Sequence, residues 1–414
     1  DRSNRESMEY DVLIVGAGPA GLSAAIQIKQ LAKKNDLDIS VCVLEKASEI
    51  GAHILSGAVI ETVALDKLLP NWQDMDSPIK TKVTKDKLSY FGKNWSVNIP
   101  NFLLPPLMKN HGNYIVSLGN VCKWLGEVAE SLGVEVYPGF SAAEVLIDED
   151  DKVYGVATGD MGVSKDGIAK DSWESGMELH AKYTLFSEGA RGSLSKFLID
   201  NFELSKESDH QKYAIGIKEL WEVKEENHQE GLVEHSMGWP LSEGTGGGSF
   251  LYHFGQNLVS IGYVVHLNYT NPYVSPFDEF QQFKTHPSIK KILEGGKRIS
   301  YGARAITAGG FQSVPKLFFP GGALIGCSAG FLNYPKIKGT HNAMESGILA
   351  AESIIENFLS ENQNNDLFNY QEKYESSRIA KELKKVRNVK PFQSRYGVFL
   401  GTILSLSLIH ISEP

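Results

Sequence analysis

The spacing of hydrophobic positions changes period twice within the first 45 residues. Residues 11–15, DVLIV, form an unbroken apolar run that ends at glycines, the pattern of a strand buried on both faces of a parallel sheet. From Leu22 to Lys34 the apolar residues Leu22, Ala25, Ile26, Ile28 and Leu31 instead fall on one broad helical face. Ser40 to Leu44 returns to a strand, closing a βαβ unit of about thirty residues. Residues 51–120 are looser and rich in Gly, Pro and Asn; Val121 to Leu132 then reads as a helix and Val134 to Tyr137 as a strand. Alternation through AAEVLID, KVYGVAT and ELHAKYTLF predicts an antiparallel meander over 141–186. YAIGIKELWEV, GSFLYHF and LVSIGYVVHL, between Tyr213 and Leu267, predict a large second sheet. PGGALIGCSAGF and a helix from Ala343 to Leu359 look doubly wound again. The expected fold class is therefore α/β: a split Rossmann-like domain with an inserted mixed or antiparallel sheet domain. The boundaries expected are 1–200 for the first part, including an apolar loop at 99–108, 201–315 for the insertion, 316–360 for the second part, and 361–414 for a basic linker and apolar segment.

The tail changes character. Lys373 to Arg395 holds eight Lys or Arg against two Glu, and Tyr396 to Ile411 runs without a charge, short of the roughly 20 residues that span a bilayer. Such a pair suits a segment dipping into an anionic membrane surface, and equally a core helix beside a solvated basic neighbour. IPNFLLPPLM, from Ile99 to Met108, is apolar and kinked by proline. It reads as a lipid-facing entrance or as a core-covering loop, with the first favoured by the second apolar element at 396–411.

Composition narrows the chemistry. With 414 residues and a net charge of −9, the chain lacks the basic surface that nucleic acid requires, so none is expected as a partner. Cys42, Cys122 and Cys327 contain no CxxC and cannot supply four thiolates to an iron-sulfur cluster, and a reducing compartment is expected. The N-terminus has too short an apolar run for a secretory leader, so any address is expected to have been removed or never to have existed. No HExxH, GxSxG or clustered His-Asp-Ser is present, so no catalytic side chain and no metal ligand is assigned.

The chemistry-bearing motif is Gly16-Ala17-Gly18-Pro19-Ala20-Gly21, a GxGxxG set between strand and helix. Gly16 permits the tight turn, Gly18 lets the backbone approach a pyrophosphate, and Gly21 allows close helix–strand packing. Glu45, at the end of the second strand, offers a carboxylate to ribose hydroxyls. Three further small-residue loops, Gly51 to Ala58, Glu188 to Gly192, and Gly326 to Gly330 leading on to Gly339-Thr340-His341-Asn342, are each more often plain turns. In this order around one dinucleotide fold they favour FAD over NAD. In Gly246-Gly247-Gly248-Ser249-Phe250-Leu251-Tyr252 the glycines offer backbone to the carbonyl of a flat ligand and the aromatics offer walls, although a flexible loop before a strand reads equally well.

From Tyr10 to about Glu352 the chain closely resembles the electron transfer flavoprotein-ubiquinone oxidoreductase family, through DVLIVGAGPAGLSAA, GAHILSGA, HGNYIVSLG, LGVEVYPGFSAAEVL, GWPL, GGSFLYH, HPSIKKILEGGKRISYGARA, GGFQSVPKLFFPGG and PKIKGTHNAMESGILAAESI. The resemblance implies FAD held by Gly16, Gly18, Gly21, Glu45, Ser56, Gly57, Gly330, Thr340 and Asn342, and quinone against Gly247 and Gly248. It implies electron transfer flavoprotein and ubiquinone as partners and a membrane surface as the setting, either the cytoplasmic face of a bacterial inner membrane or the matrix face of the mitochondrial one. Family members also carry a C-terminal [4Fe-4S] domain, whose ligands this chain lacks, so the chain reads as ending before it. Flavin hydroxylases usually have Gly-Asp in the third motif, where this chain has Gly326-Cys327. A related flavoprotein reductase, of the geranylgeranyl reductase or nitrogen-fixation dehydrogenase type, is the alternative reading.

Overall fold

A computed structural model describes residues 5–55, 57–242, 244–360, 366–396 and 401. Its first sheet runs in the spatial order Phe318–Phe319, Gly322–Leu324, Glu178–Phe186, Ser7–Val15, Val41–Glu45, Glu135–Pro138. Ser7–Val15 is parallel to both neighbours, pairing Val12 with Tyr183 on one side and with Val41 on the other. Val12, Leu13 and Ile14 are fully buried, which is why the run shows no alternation: both faces are covered. The predicted first helix is Pro19–Lys34 and its successor strand Val41–Glu45, each within a few residues of expectation. Helix Thr340–Leu359 lies against helix Pro19–Lys34 so closely that a side chain at Gly347 would meet the Ala20 carbonyl at 2.2 Å. Leu22, Ile26, Ile348 and Ile354 are wholly buried around this contact, each contributing about 1.5–3 kcal/mol by leaving water. Strands Ala142–Ile147 and Val153–Thr158 pair antiparallel and join the sheet at Glu178–Phe186, while Met161–Val163 and Ala169–Glu174 form a separate hairpin.

The second sheet has seven strands in the order Lys297–Thr307, Tyr213–Glu222, Leu258–His266, Gly247–Phe254, Leu232–Gly238, Lys85–Phe91, Ser96–Ile99. Its last two strands come from the loosely patterned stretch after the first βαβ unit, and Lys85–Phe91 pairs parallel with Leu232–Gly238. The chain thus enters this sheet before residue 100, returns to the first, and enters again after 212. A three-stranded sheet, Ala58–Ile60, Tyr114–Val116 and Thr81–Lys82, lies at the crossing.

The apolar loop at 99–108 forms two short 3-10 turns, Asn101–Leu103 and Pro106–Met108. Asp86 ties it down: its carbonyl accepts from Asn101 Nδ2 at 2.9 Å and its carboxylate accepts the Asn110 N–H at 2.7 Å. Between these anchors Phe102 is 80% exposed and Leu103 53% exposed.

The basic tail is only partly solvated. Helix Arg378–Lys385 buries Ile379, Ala380 and Leu383, and both Arg378 and Lys390 turn inward to partners. Lys381, Lys384, Lys385, Arg387 and Arg395 remain exposed. The uncharged run from Tyr396 to Ile411 falls almost wholly outside the described residues. Among the described residues, no helix is long and apolar enough to cross a membrane.

Candidate functional site

The carboxyl end of strand Ser7–Val15 turns at Gly16, whose φ of +108° suits glycine and whose N–H donates to the Leu44 carbonyl at 2.8 Å. A Cβ there would lie 2.5 Å from the Ser187 carbonyl oxygen, and one at Gly21 would lie 2.1 Å from the Gly16 oxygen. At Gly18 no atom comes within 4 Å of that position. Two glycines are thus required by packing, while the third borders open space. Gly18 is also the N-cap of helix Pro19–Lys34, where no side chain caps the first turn. The helix presents free N–H groups and the positive end of its dipole to this space. Beside it the Glu45 carboxylate accepts the N–H of Ala17 at 3.1 Å and of Ala47 at 2.8 Å.

The three small-residue loops gather around this corner. Gly57, with a φ of +95°, seats against the second sheet, since a side chain there would lie 2.1 Å from Ser260 Cβ. Its carbonyl accepts from Lys218 Nζ at 2.7 Å, and that of Leu55 accepts at 3.4 Å. Burial without a carboxylate at the ammonium pushes the Lys218 pKa down to about 8. Ser56 lies outside the described residues. Ser328 Oγ donates to the Gly189 carbonyl at 3.3 Å, joining the second loop to the third. Gly330 leaves room for Gln211, whose Nε2 would be 2.5 Å from an added Cβ. Thr340 begins helix Thr340–Leu359, again with no side-chain cap. Asn342 is fully buried; its Nδ2 donates to the Phe331 carbonyl at 3.1 Å and its Oδ1 has no partner. A buried acceptor left unpaired costs free energy unless a ligand N–H meets it. An open cradle at one uncapped helix start, a carboxylate beside it, and an orphan acceptor at a second uncapped helix start fit an extended dinucleotide with a hydrogen-bonding ring system. FAD meets that description.

Next to Asn342, His341 is fully buried, with Nε2 at 3.0 Å from Glu382. Lys336 Nζ bridges Glu61 at 2.7 Å and Glu382 at 3.1 Å, and Arg378 joins Glu382 to Glu345. Burial by itself raises the Glu382 carboxyl, but the hydrogen bond and charge of His341, with Lys336 and Asn333, hold it far below the usual carboxylate range. Glu61, His341 and Glu382 have the donor types of a metal site. Because the Lys336 ammonium already lies between both carboxylates and Arg378 pairs with Glu382 as well, this is an ion network that ties the second half of the fold to the tail helix.

Gly247 and Gly248 begin strand Gly247–Phe254, opposite Val265 and Val264. A side chain at Gly247 would meet the Val264 carbonyl at 2.1 Å, and one at Gly248 the Ser236 carbonyl at 2.4 Å, so the sheet itself requires both glycines. The expected aromatic walls are corrected: Phe250 and Tyr252 are buried and stacked on each other at 4.9 Å, and the Tyr252 hydroxyl meets His235 Nε2. Their period-2 spacing places them together on the covered face. Beside Gly246 stand His266, Lys390 and Tyr334, a group that sequence reading did not single out. Nor did it find Lys218 or the network around Glu382; an acid set between basic residues at 381–385 was the one visible cue to the latter.

Residues 14–80 match the model of an NAD(P)-binding Rossmann-like domain, and residues 213–306 match the ubiquinone-binding domain of electron transfer flavoprotein-ubiquinone oxidoreductase. The chain is 54% identical over 97% of its length to the mitochondrial electron transfer flavoprotein-ubiquinone oxidoreductase of Caenorhabditis elegans, covering 68% of that protein. It is 54% identical over 96% of its length to that of Homo sapiens, covering 66%, and 52% identical over 96% to that of Pseudomonas aeruginosa, covering 73%. The chain therefore spans about two thirds of the length of the relatives it matches. Among solved structures, a geranylgeranyl bacteriochlorophyll reductase-like protein from Thermoplasma acidophilum superposes with a TM-score of 0.72 at 18% identity, over 99% of this chain and 92% of that one. A flavin-dependent brominase superposes with a TM-score of 0.65 at 18% identity, over 97% and 93%. Both share the fold.

Proposed function

Because the chain belongs to the electron transfer flavoprotein-ubiquinone oxidoreductase family, we propose that it takes electrons from reduced electron transfer flavoprotein and passes them to ubiquinone through FAD. The observation that carries this reading is the seating of the loop at Gly57 on the ubiquinone-binding sheet, against Ser260 and under Lys218. A ring system held at that loop adjoins the sheet that would receive the quinone.

In this reading Gly16, Gly18 and Gly21 admit the pyrophosphate to the first helix, and Glu45 accepts from the ribose. Gly57, Gly330, Thr340 and Asn342 border the ring, and Gly247 and Gly248 border the quinone. When bound, FAD supplies the electron-carrying chemistry, and the protein supplies placement and tuning. Lys218 holds the Gly57 loop through two carbonyls and contributes a buried positive charge beside it. The start of helix Thr340–Leu359 adds the positive end of its dipole, which favours negative charge on a ring held there.

A membrane-surface setting is supported by Phe102 and Leu103, exposed on an anchored loop, and by the exposed bases Lys381, Lys384, Lys385 and Arg387. The host membrane would be the bacterial inner membrane or the mitochondrial one. The [4Fe-4S] cluster of the family would need ligands from outside this chain's cysteines: Cys42 and Cys122 are buried separately, and among the described residues no cysteine joins a metal-ligating group.

The test is an anaerobic single turnover: flavin-loaded protein is photoreduced, then mixed with a short-chain ubiquinone while flavin absorbance is followed. Rapid reoxidation is expected. A flavin that stays reduced with quinone would sink the reading.

A further inference from the structure

His266 closes strand Leu258–His266, and its backbone N–H donates to the Gly246 carbonyl at 2.9 Å, fixing it beside Gly247 and Gly248. Its ring Nδ1 lies 2.7 Å from Lys390 Nζ. Both side chains are deep: His266 is 1% exposed and Lys390 9%. A Cβ at Gly246 would sit 3.3 Å from the His266 ring and 3.5 Å from Lys390 Nζ, so the pair flanks the glycine run itself. The Tyr334 ring stands edge-on to His266 at 4.6 Å and 5.7 Å from Lys390 Nζ, and its hydroxyl donates to Gln393 at 2.8 Å. His266 Nε2 is buried with no partner.

Since an ammonium can only donate, His266 Nδ1 is the acceptor, and the neutral ring carries its hydrogen on Nε2. A buried donor is therefore left unsatisfied beside the glycines, and a buried ammonium faces a neutral ring instead of a carboxylate. Both arrangements cost stability. Lys212 acts on Lys390 as a second positive charge, and Arg387 lines the same cleft, together with Gly309, Gln312, Leu332 and Tyr334. Burial and then the Lys212 charge push the Lys390 pKa down to about 8; burial and then Lys390 push that of His266 down to about 3. The lysine thus releases a proton readily near neutrality, and the imidazole stays neutral. Costly titratable groups of this kind concentrate at sites that use them.

We propose that His266 and Lys390 deliver a proton to the quinone received at Gly246–Gly248, a reading that rests on the quinone site proposed above. Ubiquinone gains two electrons and two protons on becoming the quinol. Bound reduced FAD would supply both electrons and one proton; the second proton comes from this pair. His266 Nε2–H donates to a quinone carbonyl oxygen, and the N–H bond breaks as the O–H bond forms. Nδ1 takes a proton from the Lys390 ammonium, which becomes an amine. After the quinol leaves, Nε2 takes one proton from water and Nδ1 returns its proton to the Lys390 amine, which restores the ammonium and the starting tautomer. No net charge develops on the imidazole in the full cycle.

The test follows anaerobic reoxidation of the photoreduced, flavin-loaded protein by short-chain ubiquinone from neutral to alkaline pH. Ferricenium, which accepts an electron without a proton, serves as the control oxidant. In the unaltered protein the rate with quinone is expected to fall as pH rises through about 8. In Lys390→Met it is expected to be lower by about 10²-fold at neutral pH, the range for a lost general acid, and to lose that inflection. Lys390→Arg keeps the charge but does not give up a proton near neutral pH and should also lose it, which covers the case in which the Met variant does not fold. Rates with ferricenium should match in all three. An unchanged pH profile in either variant overturns the pair's role while leaving the quinone site standing. No reoxidation of the unaltered protein by quinone, with ferricenium still effective, overturns both.

Discussion

At the scale of single residues, the three motif glycines have separable duties. The Gly18 backbone is extended and its Cβ direction is open, so Gly18→Val is expected to match the unaltered protein in Tm when both are free of flavin, yet to lose most of its flavin, read as the flavin-to-protein absorbance ratio. Gly21→Val would drive atoms into the Gly16 carbonyl and should lower stability by several kcal/mol whether or not flavin is bound. Equal flavin loss and equal destabilisation in the two variants would refute this division. Lys218 carries a different signature. Its pKa is about 8 in the folded chain and near the ordinary lysine value when unfolded, so the unfolded chain binds the extra proton between the two. The cost of burying the ammonium is complete below pH 8 and is relieved as pH rises above it. Chemical denaturation is therefore expected to show the unaltered protein gaining on Lys218→Met by about 1–3 kcal/mol between pH 7.5 and 9.5. A constant difference would mean that Lys218 stays charged in the folded chain across this range.

At the scale of elements, what was legible in the sequence was what periodicity encodes. The run DVLIV, the helical face from Leu22 to Leu31 and the alternating strands after Tyr213 each fix an element from neighbours within a few residues. Strand Lys85–Phe91 was not legible because its partner, Leu232–Gly238, lies far along the chain and its own pattern, KDKLSYF, is half polar. The Glu382 network escaped for the same reason: Lys336 is 275 residues from Glu61 and 46 from Glu382, and only the fold brings them together. This network pins helix Arg378–Lys385 to the start of helix Thr340–Leu359. Glu382→Ala leaves Lys336, Arg378 and His341 facing one another without their shared anion, and is expected to cost about 3–5 kcal/mol in urea or guanidinium unfolding. Because the folded Glu382 pKa is depressed, its contribution is present above the unfolded carboxylate value and fades as pH falls toward the folded one. The gap between Glu382→Ala and the unaltered protein should accordingly shrink below about pH 4.5. A gap that widens in acid would contradict the assignment.

At the scale of the whole molecule, two sheets share one boundary: the parallel sheet presents the dinucleotide corner, and the seven-stranded sheet presents Gly246–Gly248 and the His266–Lys390 pair. The chain passes between them more than once, so neither unit is a bead on a string. The loop bearing Phe102 and Leu103 projects from the far edge of the second sheet, where an apolar tip would reach into lipid. Phe102→Ser with Leu103→Ser should cut binding to anionic vesicles, measured by co-sedimentation, by about tenfold or more, while leaving flavin content unchanged. Undiminished binding would remove this loop from the membrane face. If flavin and quinone sites adjoin within this one chain, an anaerobic titration will show it. Photoreduced, flavin-loaded protein is titrated with short-chain ubiquinone and the oxidised flavin absorbance is recorded at equilibrium. Full recovery is expected at one quinone per flavin; a flavin that remains bleached in excess quinone, yet recovers with ferricenium, would place the two sites apart.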